Sequence, residues 1–337
     1  MTAELGGESA PHLISVVVPV YAGERTLPDL LAEIAPLTTE FLTPDGYAAC
    51  VTEILLVHDH GPDRSPEVIR ELAAKYDVVK PVWLSRNFGQ HAATLAGMAS
   101  TGGDWIVTLD EDGQHDPAYI AAMLDIAMAR QASVVYASPT NPPPHGAVRN
   151  WASRTAKRLI DLLVGQGPAT MFHSYRLVLG EVGRGVAAYA GAGVYLDVAL
   201  AWVAADATTC PVALRQEGDR PSGYRMRTLL SHFWRMVLTS GTRPLRSVSV
   251  VGAVFAMFGI LVAIGLVINR LVVGSVAAGW TSVMVVVLVS TGAVLFSLGI
   301  VAEYLGVAVN MAMGKPLYLI SSDPQQGPLG RRPSAGA

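Results

Sequence analysis

Leu109-Asp110-Glu111-Asp112-Gly113-Gln114-His115-Asp116 directly follows the apolar run Trp105-Ile106-Val107-Thr108. The run has the length and composition of a buried strand. In extended backbone, residues two apart share a face, so Asp110, Asp112 and Gln114 are expected to point one way just beyond a strand end. Two carboxylates and an amide oxygen are hard ligands suited to a hard divalent cation. Such a cation could in turn hold a diphosphate.

Working outward, residues 14–138 alternate strand-like and helix-like segments. Ser15–Val20, Glu53–Val57, Val78–Leu84, Trp105–Leu109 and Ser133–Ala137 read as strands. Helical patterns start at Leu27, Pro66, Gln90 and Pro117. Alternation of this kind predicts an α/β, doubly wound, mostly parallel sheet. Ligands of such sheets bind beyond the carboxyl ends of the strands. The polar residues gather there: Tyr21, Asp59, Arg86 with Asn87, and Asp110 with Asp112.

Composition divides the chain. Of 337 residues, 51% are hydrophobic and 15% charged, an apolar balance for a soluble protein of this size. The excess lies between Ser247 and Ala302, where Arg270 is the sole charge. A spanning helix needs roughly 20 apolar residues, so two spans are expected, near 247–269 and 281–302. Arg225, Arg227, Arg235, Arg243 and Arg246 precede them, and Lys315, Arg331 and Arg332 follow. The positive-inside rule then places both ends in the cytoplasm of a multi-pass protein of the cell membrane. The first thirteen residues lack a signal-peptide pattern. A net charge of −3 argues against nucleic acid as a partner. Cys50 and Cys210 form no metal-ligand pattern and read as reduced thiols.

Smaller features complete the organisation. Residues 139–146 (PTNPPPHG) read as a stiff loop, and 147–165 as a basic helix. Between 222 and 240, Met226, Leu229, Leu230, Phe233 and Val237 recur at helical spacing beside arginines. That pattern reads as an amphipathic helix in the headgroup layer, or as a core helix. Gly292, Gly299 and Gly306 are seven apart, as are Gly252 and Gly259, which would let helices pack closely in a hairpin or an oligomer. The tail from about 321 is rich in Gly, Pro and Gln and is expected to be disordered. The expected domains are therefore a flexible 1–13, a catalytic domain over 14–221, a juxtamembrane region over 222–246, spans within 247–306, and a cytoplasmic 307–337.

Several motifs together resemble the family 2 glycosyltransferases of GT-A fold that glycosylate polyprenyl phosphates, over roughly residues 14–320. Dolichyl-phosphate mannose synthases and bactoprenol glucosyltransferases are of this kind. Val17-Val18-Pro19-Val20-Tyr21 matches the first strand and nucleotide-binding turn, with Ala22 where Asn is usual and the acidic residue moved to Glu24. Val57-His58-Asp59-His60-Gly61-Pro62-Asp63 keeps Asp59, which the resemblance implies contacts the base; His58 and His60 are departures that read as loop packing. Leu84-Ser85-Arg86-Asn87-Phe88-Gly89 matches a segment whose guanidinium suits a diphosphate. Asp110, Asp112 and Gln114 match the metal motif, implying Mg2+ or Mn2+. Glu111 counts with the nucleotide-sugar residues but is expected to face away from the metal and be structural.

On the acceptor side, Ser174-Tyr175-Arg176 matches a family segment. Tyr195-Leu196-Asp197 stands where many members place a catalytic carboxylate. Asp197 would position the acceptor or a basic residue, or cap the helix after it; an ionised phosphate needs no base. Arg215, Ser222 and Tyr224 match a family segment implied to meet the acceptor phosphate, with Arg215 and Arg220 the candidates for the phosphate contacts. The resemblance thus implies an inverting, metal-dependent transfer of sugar from a nucleotide donor, UDP-glucose by default, to undecaprenyl or decaprenyl phosphate. It also points to a homo-oligomer. A processive polysaccharide synthase and a non-catalytic membrane scaffold are the rival readings.

Overall fold

A computed structural model describes residues 10–141, 171–191, 194–204, 206–215, 279–331 and some of those between 252 and 272. Most of the proline-rich loop, the basic stretch 147–165, the amphipathic stretch 222–240 and Arg220, Ser222 and Tyr224 lie outside the described residues.

The sheet is organised on β1 (His12–Val20), which is buried without interruption from Ile14 to Val20. It pairs in parallel with β3 (Ala48–His58) on one side and β5 (Trp105–Thr108) on the other. A short β2 (Phe41–Leu42) pairs antiparallel with the start of β3, and β4 (Val79–Leu84) runs parallel on its far side. Alternate side chains of β1 enter two separate cores, as strand geometry requires. Val16, Val18 and Val20 pack with α1 (Leu27–Ile34), α2 (Ser65–Lys75) and α4 (Tyr119–Arg130). Val17 packs with α3 (Gln90–Ala99). A Cβ on Gly97 would lie 2.4 Å from the Val17 side chain, so only glycine lets α3 sit this close.

The strand order is β8 (Ala207–Val212), β6 (Val134–Pro139), β7 (Arg176–Leu179), β5, β1, β3, β4, β9 (Ile320–Ser321). β6 is not beside β5, as the alternating pattern suggested. β7 lies between them, antiparallel to both. α5 (Gly180–Tyr189) and α6 (Leu196–Val203) follow, and β8 runs parallel to β6. The sheet is therefore mixed but mostly parallel, as expected: β1, β3, β4, β5, β6 and β8 share one direction, and β7 with two short edge strands runs against them. A run such as Arg-Leu-Val-Leu signals a buried strand but carries no information about direction or neighbour.

α7 (Trp280–Ala312) covers the second expected span and runs beyond it. Its segment Val289–Ala312 has mean hydropathy 1.9 and is long and apolar enough to cross a membrane. The described residues between 252 and 272 are helical, with Phe258, Leu261 and Leu271 exposed; the rest of the first expected span lies outside the described residues. Nothing among the described residues lies within 4 Å of a Cβ built on Gly292, Gly299 or Gly306.

The tail expected to be disordered from about 321 is ordered as far as the described chain extends. Leu319 accepts a hydrogen bond from the Ser85 amide at 2.9 Å. β9 then pairs antiparallel with the end of β4. Arg70, lying over the Trp83 ring, grips Asp323 through two 2.8 Å hydrogen bonds. Composition misread this segment because its order comes from the open edge of β4, whose backbone groups need partners.

Loss of the Asp323 carboxylate should release this edge. Asp323→Ala removes two charge-assisted hydrogen bonds, about 2 kcal/mol, or roughly thirtyfold in local opening. Amide exchange at Ser85 should speed accordingly while β1 stays protected. Arg70 holds the Asp323 carboxyl below its ordinary value. The stabilisation is thus present above the ordinary carboxylate range and lost as pH falls through the lowered value.

Candidate functional site

Chain order reverses between β1 and β5, and the crevice beyond their carboxyl ends is where a ligand is expected in such sheets. The Leu109 amide still bonds Val17 at 3.0 Å; beyond it the chain leaves the ladder and turns.

Asp110 is fixed from several directions. Its Oδ1 accepts from Gln90 Nε2 at 2.6 Å and its Oδ2 from the Ser174 hydroxyl at 2.6 Å. Its amide donates to His115 Nδ1 at 3.1 Å. With Nδ1 accepting, the neutral ring carries its proton on Nε2. His115 is buried and stacks on Tyr175 with ring centres 5.0 Å apart; burial lowers its pKa to about 4. It is a neutral prop at ordinary pH. Neither Gln90 nor His115 was singled out from the sequence. The only signal was their position, Gln90 opening α3 after Gly89 and His115 closing the acidic motif.

Asp112 Oδ1 accepts the Gln114 amide at 3.0 Å, closing a turn that Gly113 makes with φ +76°. Burial raises both acids, and the Asp110 charge adds to the effect at Asp112. The Gln114 carbonyl accepts the Arg215 amide at 3.1 Å. Arg215 itself pairs with Glu33 at 2.7 Å and Asp116 at 2.9 Å, so the structure ties it to the acidic loop.

These residues fit a divalent cation. Asp110 keeps 24% of its side chain exposed, and a carboxylate has about four lone-pair sites, so both acids retain capacity. Among the described residues no group of three or more His, Cys, Asp and Glu side chains could hold a metal. The protein's share would be the two carboxylates with the Gln114 amide. Mg2+ is commonly held by one or two carboxylates, with water and substrate phosphates completing its shell.

The turn after β1 is held by side chains from other loops. Glu111 accepts the Tyr21 and Ala22 amides, Ser65 the Gly23 amide, and Asp63 the Glu24 amide. Glu24 in turn accepts the Arg64 amide at 3.3 Å. Against the upward push of burial, hydrogen bonds from Ser65 and the Glu24 amide hold Asp63 below its usual range. A Cβ on Gly61 would lie 1.4 Å from the Tyr21 carbonyl, so glycine alone allows the two loops to touch. Pro19 and Val20 end β1, and the Tyr21 side chain is 47% exposed.

Asp59, expected at the base, also holds a neighbouring loop. It is buried, and its oxygens accept the Phe88 and Gly89 amides at 2.7 and 2.8 Å. It shapes the loop that presents Arg86. The Arg86 guanidinium stacks on Phe88 at 4.1 Å beside the exposed Asn87 and has no carboxylate partner among the described residues. His58 and His60 pack the loops. His60 sits at φ +51° with Nδ1 2.9 Å from the Leu84 carbonyl. His58 stacks edgewise on Trp83, and its buried Nε2 has no hydrogen-bond partner among the described residues.

On the far side, Arg176 is buried and paired with Asp197, also buried. Asp197 lies in the first turn of α6, whose N-cap is Tyr195, so it is no helix cap. Burial raises its pKa and Arg176 works against that shift. Arg176, expected to meet the acceptor phosphate, has its guanidinium paired with this carboxylate.

Comparison with known proteins adds an independent line. The model of the family described as "Glycosyl transferase family 2" matches residues 15–183. An undecaprenyl-phosphate 4-deoxy-4-formamido-L-arabinose transferase of Pseudomonas aeruginosa is 32% identical over 321 residues, 91% of this chain and 89% of the relative. The protein so named in Aeromonas hydrophila is 28% identical over 91% and 93% of the two chains. Glucosyl-3-phosphoglycerate synthase from Mycobacterium tuberculosis, crystallised with Mn2+, UDP and phosphoglyceric acid, aligns over 69% of this chain and 78% of its own at 18% identity and TM-score 0.47. That likeness is too distant to carry an argument.

Two stability measurements follow from the buried charges. Asp197→Ala strands the Arg176 guanidinium and should cost about 3–5 kcal/mol in chemical denaturation; adding Arg176→Met should recover most of it. Burial lowers the His58 pKa to about 4, so the unfolded chain takes up a proton near pH 6.5 that the fold refuses. His58 by itself should account for about 3 kcal/mol of lost stability as pH drops from 6.5 to 4. His58→Phe should flatten that slope.

Proposed function

Because the chain belongs to glycosyl transferase family 2, and is therefore a glycosyltransferase, we propose that it moves a sugar from a nucleotide donor to a polyprenyl phosphate at the cytoplasmic face of a membrane. The observation that carries the reading is the Asp110–Asp112 pair at the switch point between β1 and β5. The ordered turn at Tyr21 follows β1, and Arg86, with no carboxylate ion pair among the described residues, follows β4 on the same side of the switch point. An acceptor that stays in lipid would suit an enzyme carrying a helix as apolar as α7.

In this reading Tyr21 and the backbone of its turn receive the nucleoside, while Asp59 acts from behind by fixing the Arg86 loop. Arg86 binds the diphosphate. Asp110, Asp112 and Gln114 would hold Mg2+ or Mn2+, which when bound offsets charge on the departing nucleotide. An acceptor phosphate oxygen attacks the anomeric carbon as the bond to the diphosphate breaks, and the electron pair leaves with the nucleoside diphosphate. Configuration inverts. The phosphate is already ionised, so Asp197 is left to orient Arg176. Arg220, Ser222 and Tyr224 belong to the segment proposed to meet the acceptor phosphate, and Arg215, on the acidic loop, would join them.

The donor is proposed as a nucleotide sugar, with UDP-glucose the default. The relatives' formamido-arabinose places a formamido pentose in the test panel beside it.

Purified protein, Mg2+ and short polyprenyl phosphates, supplied with labelled donors, should move label into the lipid phase. Asp112→Asn should lower that transfer at least a hundredfold while melting within about two degrees of the parent. Near-normal turnover by the variant would overturn the cation assignment. Label entering a polymer instead of lipid would favour the polysaccharide synthase reading.

A further inference from the structure

Glu111 stands between the two acids of the motif, yet its carboxylate is spent on another loop. Its Oε2 accepts the Tyr21 amide at 3.0 Å and its Oε1 the Ala22 amide at 2.9 Å. Two consecutive backbone amides thus point into one carboxylate some ninety residues away in sequence. Ala22 has no polar side chain with which to cap its own turn. A Cβ on Gly23 would sit 2.7 Å from Glu111 Oε2, so a larger residue there would push the carboxylate aside. Of the side chains that accept the amides of residues 21–24, only Glu111 lies on the acidic loop; Asp63 and Ser65 lie on the loop after β3.

We infer that Glu111 is a positioning residue that couples cation binding to the order of the nucleoside turn. The inference rests on the cation reading of Asp110 and Asp112 given above. Glu111 sits between Asp110 and Asp112 in the same turn, so the backbone that carries the two acids proposed to hold the cation also carries Glu111 to the Tyr21 and Ala22 amides. Fixing the two acids fixes the clamp. Coupling between sites is reciprocal, so an ordered turn also favours the cation. This route needs no diphosphate bridging the two.

Hydrogen exchange of the full-length protein in detergent tests it without any nucleotide. In the parent, Mg2+ should slow exchange at residues 20–24 about tenfold relative to chelator. In Glu111→Ala those amides should exchange fast with or without Mg2+, while calorimetry still detects Mg2+ binding. Glu111→Gln keeps the side-chain shape with one acceptor in place of two, and should lose most of the Mg2+ effect if the alanine variant fails to fold. With a donor identified, Glu111→Gln should raise KM for it about tenfold and change kcat less than threefold. Mg2+ that binds the parent but leaves residues 20–24 unchanged overturns the coupling and spares the cation site. A parent that binds no Mg2+, and so behaves as Asp112→Asn does, overturns the cation reading and this inference with it.

Discussion

The placement of β1 between two parallel partners is the constraint on which the site depends. Because β3 and β5 both run parallel to it, their carboxyl ends emerge together. Three polar turns then meet in one crevice: Tyr21–Glu24, Asp59–Ser65 and Asp110–Asp116. From Val16 to Val20 β1 offers only buried apolar side chains, so the chemistry at its end falls to the turns. Register matters for the same reason. The β1–β3 pairing shifts by one residue between Ile14 and Ser15, and beyond that shift Val20 stands opposite His58. This brings Gly61 under the Tyr21 carbonyl.

Much of the charge in the crevice holds loops. Asp59 caps the amides of Phe88 and Gly89, Asp63 that of Glu24, and Glu111 those of Tyr21 and Ala22. Turns outside a ladder leave backbone donors that must find partners. Carboxylates make the stronger bonds to them. The groups left with capacity for a ligand are correspondingly few. Arg86 has no carboxylate partner among the described residues, and Asp110 and Asp112 retain lone pairs after their own hydrogen bonds are counted.

The proposed acceptor side and the apolar helix α7 are tied to this crevice by separate connections. Ser174 reaches Asp110 while its neighbour Arg176 is locked to Asp197, so β7 joins the acidic loop to α6. The chain after α7 returns to the sheet edge, where Leu319 holds Ser85, the residue before Arg86. The apolar helix is thereby linked through a few backbone bonds to the loop proposed to bind the diphosphate.

Local pattern was enough to reveal the alternating strands and helices, the acidic motif and the apolar C-terminal half. Hydrophobic period and strand-end polarity are written in short windows of sequence. The resemblance to family 2 glycosyltransferases rested on the same motifs, and the family match bears it out. Tertiary structure decided what depends on distant partners. β7 inserts antiparallel between β5 and β6, because strand direction leaves no mark in four residues. The tail is ordered because β4 offers an open edge, which composition cannot register. Asp59 and Arg176 bind the protein itself, because the amides of Phe88 and Gly89 and the carboxylate of Asp197 reach them only in the folded chain. The residue types at the site were legible in the sequence; their partners were set by which buried donors and charges the fold left to be satisfied.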